Sequence, residues 1–425
     1  MNKGKLTRHF RTAVLLMLLL GTCALTGLIG CSRVPAIQAQ DLSKEVQSQG
    51  VSGKETDDKF VDSVADFSFE LFKRTYDKKK NSLVSPLSVM LALSMTANGA
   101  ANETLAQMEK VLGGDIMLDE LNEYLYTYVK GLPSIKKSRL NIANSIWYRD
   151  EEQLQISRDF LQRNADYYNA AIYKAPFDDQ TLKDVNNWVK VNTDGMIEKV
   201  LDKIKSEDMM YLINAVVFDA QWKDAYKKSD IKEGTFTTVD GKSLKVDFMN
   251  SRETGLIRTD NAIGFIKPYH DDHYSFVALL PDEGLSLNEF VASLSGDDFI
   301  SMIENREPGN VIASMPRFSY EYEIVMNEPL IDMGMDDAFS PDDADFSRMM
   351  AGGGLYIGEV LHKTYISVDD KGTKAAAVTK VTMELTSAPN NVYVTLNRPF
   401  VYAIVDNATN LPIFIGVLME PVSGK

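Results

Sequence analysis

Between Thr373 and Leu385 the chain alternates, with Thr373, Ala375, Ala377, Thr379, Val381, Met383 and Leu385 on one side and Lys374, Ala376, Val378, Lys380, Thr382 and Glu384 on the other. A period of two puts the first set on an apolar strand face and the second on a mostly polar one. The three alanines between lysines would also suit a surface helix. Ordinary strands have about 5 to 6 residues, and this alternation runs well beyond that. It then dissolves into Thr386-Ser-Ala-Pro-Asn-Asn391. Any fold for this chain has to house that strand and account for its loose tail.

The rest of the chain supplies two kinds of element. Phe60, Val64, Phe67, Leu71 and Phe72 recur at helical spacing, as do apolar residues through 86–98, 104–112, 117–130, 157–170 and 185–201. From about residue 210 the pattern turns to strands, at 210–218, 275–280, 365–368, 392–396 and 400–405. Several of these are almost continuously apolar, which suits central strands covered on both faces. Helices first and strands later predict an α+β architecture. Nothing between residues 58 and 425 reads as a linker or repeat, so one large domain is expected.

The first residues carry an address. Lys3, Lys5, Arg8 and Arg11 precede an uncharged run from Ala13 to Gly30. A basic start and an apolar middle ending in small residues describe a signal peptide, residues 1–30, rather than part of the fold. Leu28-Ile29-Gly30-Cys31 also resembles a bacterial lipobox, which implies lipidation of Cys31 and an exported cell-envelope lipoprotein held at the outer membrane or cell surface. An ordinary signal peptide or an uncleaved anchor is the alternative, because the apolar run is nearly long enough to span a bilayer. Residues 31–57 then read as a polar tether. Cleavage before Cys31 removes Cys23, leaving one cysteine and no intrachain disulfide. It also takes four basic residues and no acidic one, moving the formal charge from -15 to -19. Such acidity argues against nucleic acid and anionic membrane surfaces as partners.

Catalytic patterns are sparse. Ser229-Asp-Ile-Lys232 matches the S-x-x-K of penicillin-interacting enzymes without their Ser-Asp-Asn and Lys-Thr-Gly companions, so a cell-envelope hydrolase is a remote alternative. His270-Asp-Asp-His273 lacks a third metal ligand and reads as a solvated turn. The acidic residues at 336, 337, 342, 343 and 345 lack calcium-loop spacing. No phosphate loop or dinucleotide fingerprint is present, so neither cofactor nor metal is expected.

Read together, several segments are specific. Asn81-Ser-Leu-Val-Ser-Pro-Leu-Ser88, Val185 to Ile197, Asn214-Ala-Val-Val-Phe218 followed by Trp222, Met315-Pro-Arg-Phe318, His362-Lys363 and Asn397-Arg-Pro-Phe400 resemble, in order, the signature segments of the serpin family. Asp370 to Thr379 resembles the family's hinge. The resemblance implies a helix-covered domain, residues 58–425, with three β-sheets and an exposed reactive loop at about 370–390. It implies a suicide-substrate inhibitor of serine, and by extension cysteine, proteases. The protease is trapped as an acyl-enzyme when the cleaved loop inserts into the main sheet. On that view the alternation is written for the cleaved state.

The resemblance also assigns residues. The hinge comprises Asp370, Gly372, Thr373, Ala375, Ala376, Ala377 and Thr379, its odd-numbered positions small enough to pass between strands. Gly372 is expected to be a flexible entry point. Asp370 stands where the family usually has glutamate, Lys374 is positive where an acidic residue is common, and Arg317 is the expected partner of Asp370. Ser85, Ser88, Asn214 and His362 are expected as a polar cluster beneath the place where the sheet opens. Counting forward from Asp370 by the family's spacing puts the reactive bond between Thr386 and Ser387, whereas counting back from Pro399 points to Ala388. Elastase-like or chymotrypsin-like proteases are the favoured targets of a monomer. A noninhibitory binding protein of the same fold is the competing reading.

Overall fold

The structure, a computed structural model, describes residues 36–43, 45–152, 154–352, 354–373 and 391–422. The first half contains β1 (Gln40–Asp41), α1 (Asp58–Thr75), β2 (Ser82–Val84), α2 (Pro86–Ala97), α3 (Asn102–Gly113), α4 (Leu118–Gly131), β3 (Ser138–Arg149), α5 (Arg158–Tyr168), β4 (Ala171–Ala175), α6 (Asp179–Asn192) and β5 (Met210–Gln221). Then come β6 (Ile231–Thr237), β7 (Ser243–Arg258), β8 (Ala262–Pro268), β9 (Tyr274–Pro281), α7 (Leu287–Ser293), α8 (Gly296–Glu304), β10 (Glu307–Pro316), β11 (Phe318–Val325), α9 (Asn327–Asp332) and α10 (Asp336–Phe339). The C-terminal part supplies β12 (Leu361–Val368), β13 (Gly372–Thr373), β14 (Asn391–Thr395), β15 (Phe400–Asp406) and β16 (Pro412–Leu418).

Local chemistry sets many of these boundaries. The Asp57 side chain accepts from Phe60 N–H and starts α1, whose stripe of Phe60, Val64, Phe67 and Leu71 is buried. Ser85 caps α2 ahead of Pro86, and the helix is buried nearly all round, packing on β5 and β16. A capping box between Asp178 and Thr181 opens α6. That helix ends at Asn192, short of the residue 201 that the apolar spacing suggested. Asp194 and Gly195 turn left-handed, with φ of 50° and 76°, and break it.

Seven strands form one sheet in the order β1-β4-β3-β5-β13-β12-β11. A second hydrogen-bonded path runs β14-β10-β7-β8-β9-β15-β16-β2, with β6 added to β7. Two of the three expected sheets are joined through β7. Its residues Ser243–Met249 pair with β6, while Gly255–Arg258 pair with β8. Strands β9, β15 and β16 are buried along their whole length, as their unbroken apolar runs require.

Two expectations are corrected. Strands begin earlier than residue 210, because β3 and β4 lie within the part read as helical. Asn141, Asn144 and Ser145 interrupt the apolar pattern of β3 and hide it. The polar tether, too, is packed from residue 38 onward, and the compact unit begins at Gln38 rather than at residue 58. Gln40 and Asp41 pair antiparallel with Lys174 and Tyr173 on β4. Leu42 and Val46 are buried, and Asp184 accepts from the Gln38 and Ala39 amides at 2.8 and 2.9 Å. The physical reason is the outer edge of β4, whose backbone groups need a partner.

Candidate functional site

The short strand β13 lies between β5 and β12 and is antiparallel to both. Gly372 and Thr373 pair with Gln221 and Ala220 on one side, and Thr373 pairs with Val368 on the other. Among the described residues no ladder joins β5 directly to β12. Below β13 the two strands instead line a cavity of about 40 Å³, with Asn214 and Val216 from β5 and His362 and Thr364 from β12.

Residues 369–373 are held tightly. Asp369 N–H donates to the Gly372 carbonyl at 3.0 Å, and Asp369 Oδ1 accepts from the Lys371 and Gly372 amides at 2.7 and 3.2 Å. From beneath, Trp222 donates its backbone N–H to Lys371 O and its indole N–H to Asp369 O, both at 2.8 Å. Tyr226 N–H donates to Asp370 O at 2.9 Å, and Tyr269 OH shares a 2.5 Å hydrogen bond with Thr373 Oγ1. Arg317 forms an ion pair with Asp370 and lies 3.9 Å from Asp247. Gly372 is needed for a reason other than flexibility. A Cβ there would sit 2.0 Å from the Ala220 carbonyl oxygen, so only glycine lets the backbone come this close.

The four polar residues expected under the sheet do meet. His362 Nε2 accepts from Ser85 N–H at 3.1 Å, and Ser85 Oγ donates to Ile413 O at 2.9 Å. Ser88 Oγ donates to Asn214 Oδ1. Asn214 Nδ2 passes the chain to Asn144 at 2.6 Å, and Asn144 Nδ2 donates to Tyr168 O at 2.8 Å. Burial depresses the His362 pKa to about 4, so the ring is neutral at neutral pH and its Nε2 is free to accept. The cluster thus ties β5 to β3 and β12 to the start of α2, yet no bond within it closes β5 onto β12.

The remaining candidate residues lie away from this cluster or outside the described residues. Ser229 lies on an exposed turn with its hydroxyl on Asp230 at 3.1 Å, and Lys232 is exposed on β6. His270 and His273 belong to a short turn in which Asp271 and Asp272 adopt positive φ. Ala375, Ala376, Ala377, Thr379, Thr386, Ser387 and Cys31 lie outside the described residues. Sequence reasoning missed Asn144, Tyr226 and Tyr269. For Asn144 the signal was a polar residue among the apolar residues of β3. Tyr226 acts through its backbone, and nothing in its type announces that.

Comparison with known proteins agrees with this architecture. The family model described as Serpin (serine protease inhibitor) matches residues 62–421. Human Serpin B4 is 29% identical over 383 residues, covering 84% of this chain and 97% of that protein. The native-state crystal structure of the thermophilic serpin tengpin superposes with a TM-score of 0.86 at 57% identity, covering 90% of this chain and 100% of that one. Thyroxine-binding globulin in complex with thyroxine has a TM-score of 0.75 at 24% identity, covering 86% of this chain and all of that one, and shares the fold. With Gly372 and Thr373 paired between two strands of the large sheet and the family model matching from residue 62 to 421, the chain belongs to the serpins, a family of protease inhibitors rather than catalysts.

Proposed function

We propose that this serpin traps serine proteases as a suicide substrate, its cleaved loop completing the strand that β13 begins. The observation that carries this reading is the two-sided pairing of β13 where β5 and β12 share no ladder. A strand entering there bonds on both edges, antiparallel throughout. A cleaved loop that continued the two registers would bring Ala375 opposite Phe218 and Ile366, Ala377 opposite Val216 and Thr364, and Thr379 opposite Asn214 and His362. His362, Thr364, Ile366 and Val368 are the buried residues of β12, which supports the small odd-numbered face as the inward one. Lys374 falls opposite Asp219 and Ser367, so its charge would meet a carboxylate. Thyroxine-binding globulin, in complex with thyroxine, has the same fold, so the hinge rather than the fold supports inhibition.

Incubation with elastase-, chymotrypsin-, subtilisin- and trypsin-like proteases, read on denaturing gels, should give a covalent complex with at least one of them. Clean cleavage by the whole panel with no adduct would sink the inhibitor reading. The released peptide should begin at Ser387, and its mass corrects the bond if it does not. Elastase-like and chymotrypsin-like enzymes are the favoured targets on account of Thr386 and Leu385.

Export and anchoring through Cys31 complete the proposal, supported by the basic start and the Leu-Ile-Gly-Cys segment. Cys31→Ala should abolish lipid labelling and release the protein from the membrane fraction of its host. Palmitate retained by that variant would rule out Cys31 as the lipidated residue.

A further inference from the structure

Trp222 and Tyr226, which bind the hinge from below, rest on a buried ion pair. Lys267 on β8 and Glu253 on β7 have side chains only 2% and 7% exposed, and Lys267 Nζ donates to Glu253 Oε1 at 2.9 Å. The ammonium also donates to the Asp224 carbonyl at 3.2 Å. It lies 4.5 Å from the centre of the Tyr226 ring and 5.4 Å from that of Trp222. Glu253 Oε1 accepts in addition from Ser251 Oγ at 2.6 Å. Tyr269 joins through Trp222, the two rings stacking 4.5 Å apart at 11°. Trp222, Tyr226 and Tyr269, three of the residues that bind 369–373, therefore touch Lys267 directly or through one ring.

Stability alone does not explain this pair. Two ions withdrawn from water are often replaced by apolar residues of similar volume without loss, so a buried salt bridge is weak evidence of stabilisation. What the ammonium adds is direction. Its N–H groups point at a carbonyl and a carboxylate while its charge draws two aromatic faces toward it, and a methyl group would do neither. Burial works against the charge, but Tyr226 and Glu253 outweigh it and raise the Lys267 pKa above its ordinary value, so the site stays ionised.

We infer that the Lys267–Glu253 pair is a positioning device for the hinge. It holds Trp222 and Tyr226 at the height where their N–H groups receive residues 369–371, and so sets how readily the loop begins to enter the sheet. The kinetic half of this inference rests on the insertion reading above, while the positional half does not.

The test combines Lys267→Met with Glu253→Gln, which removes both charges and nearly conserves volume. Amide hydrogen exchange at Trp222 and Tyr226 should rise by about tenfold relative to the parent, while amides of β15 and β16 keep their parental rates. Inhibitor consumed per protease trapped should rise several-fold, with a thermal midpoint close to the parent's. Unchanged exchange at Trp222 and Tyr226, or a rise shared equally by β15 and β16, would overturn the assignment, because the second pattern is general destabilisation. Glu253→Gln alone serves if the double variant does not fold, and the same two amides decide it by the same criterion. A parent protein that traps no protease would defeat the insertion reading while the exchange result still judged the pair.

Discussion

His362 sits where a charge cannot be tolerated. It is buried beneath the sheet and accepts a hydrogen bond from Ser85 N–H, which an imidazolium is unable to do. Its pKa of about 4 lies below the ordinary 6.5. The unfolded chain therefore binds a proton that the folded one refuses as pH falls through 6.5. Stability present above that value is lost progressively down to about pH 4, where the folded ring is itself protonated. At ~1.4 kcal/mol per pKa unit the whole effect is about 3 kcal/mol. His362→Gln keeps a neutral acceptor and removes the titration. Thermal midpoints measured at pH 7, 5.5 and 4 should fall more steeply for the parent than for the variant, and parallel declines would contradict the assignment. Gly372 makes a second point at this scale. Its place in the hinge was readable, but the reason, close approach to the Ala220 carbonyl, came only with the neighbouring strand.

Among the elements, the contrast between the two faces of the incoming strand is the most exacting test. Ala377→Glu would carry a carboxylate to a position beside Val216 and buried Thr364, where an unpaired charge costs several kcal/mol or must take up a proton. Even ~1.4 kcal/mol on the insertion barrier slows it about tenfold and lets the acyl-enzyme hydrolyse first. The variant should behave as a substrate. Ala376→Glu falls beside Tyr365, which is half-buried, and Val217, which is buried, so it should do less harm without being silent. Moles of inhibitor consumed per mole of protease trapped separate the two. Equal trapping by the two would overturn the assignment of faces, and trapping by Ala377→Glu that matches the parent would count against deep insertion of the hinge.

For the molecule as a whole, the large sheet is where insertion would act. Among the described residues the facing edges of β5 and β12 have no ladder between them below β13, and an added strand would pair with both while burying its apolar side. Protein cleaved in the reactive loop should consequently melt at a higher temperature than intact protein. Matching melting curves for the two forms would argue that the loop stays outside. At the opposite edge the same need is already met, since residues 40–41 extend the sheet along β4.

Sequence alone determined what depends on near neighbours. The apolar stripe of α1 and the long runs of β5, β9 and β15 were legible because their periodicity needs no particular partner. The alternation from Thr373 to Leu385 was legible for the same reason, as was the family pattern. Tertiary structure decided what each polar residue faces. It made a strand of the interrupted segment 138–149, docked residues 38–57 that composition read as tether, joined Ser85 to His362 across most of the chain, and buried Lys267 against Glu253. A lysine or an asparagine in a sequence carries the same charge or dipole wherever it lies. Whether that group is solvated, paired or stranded depends on residues brought together only by folding.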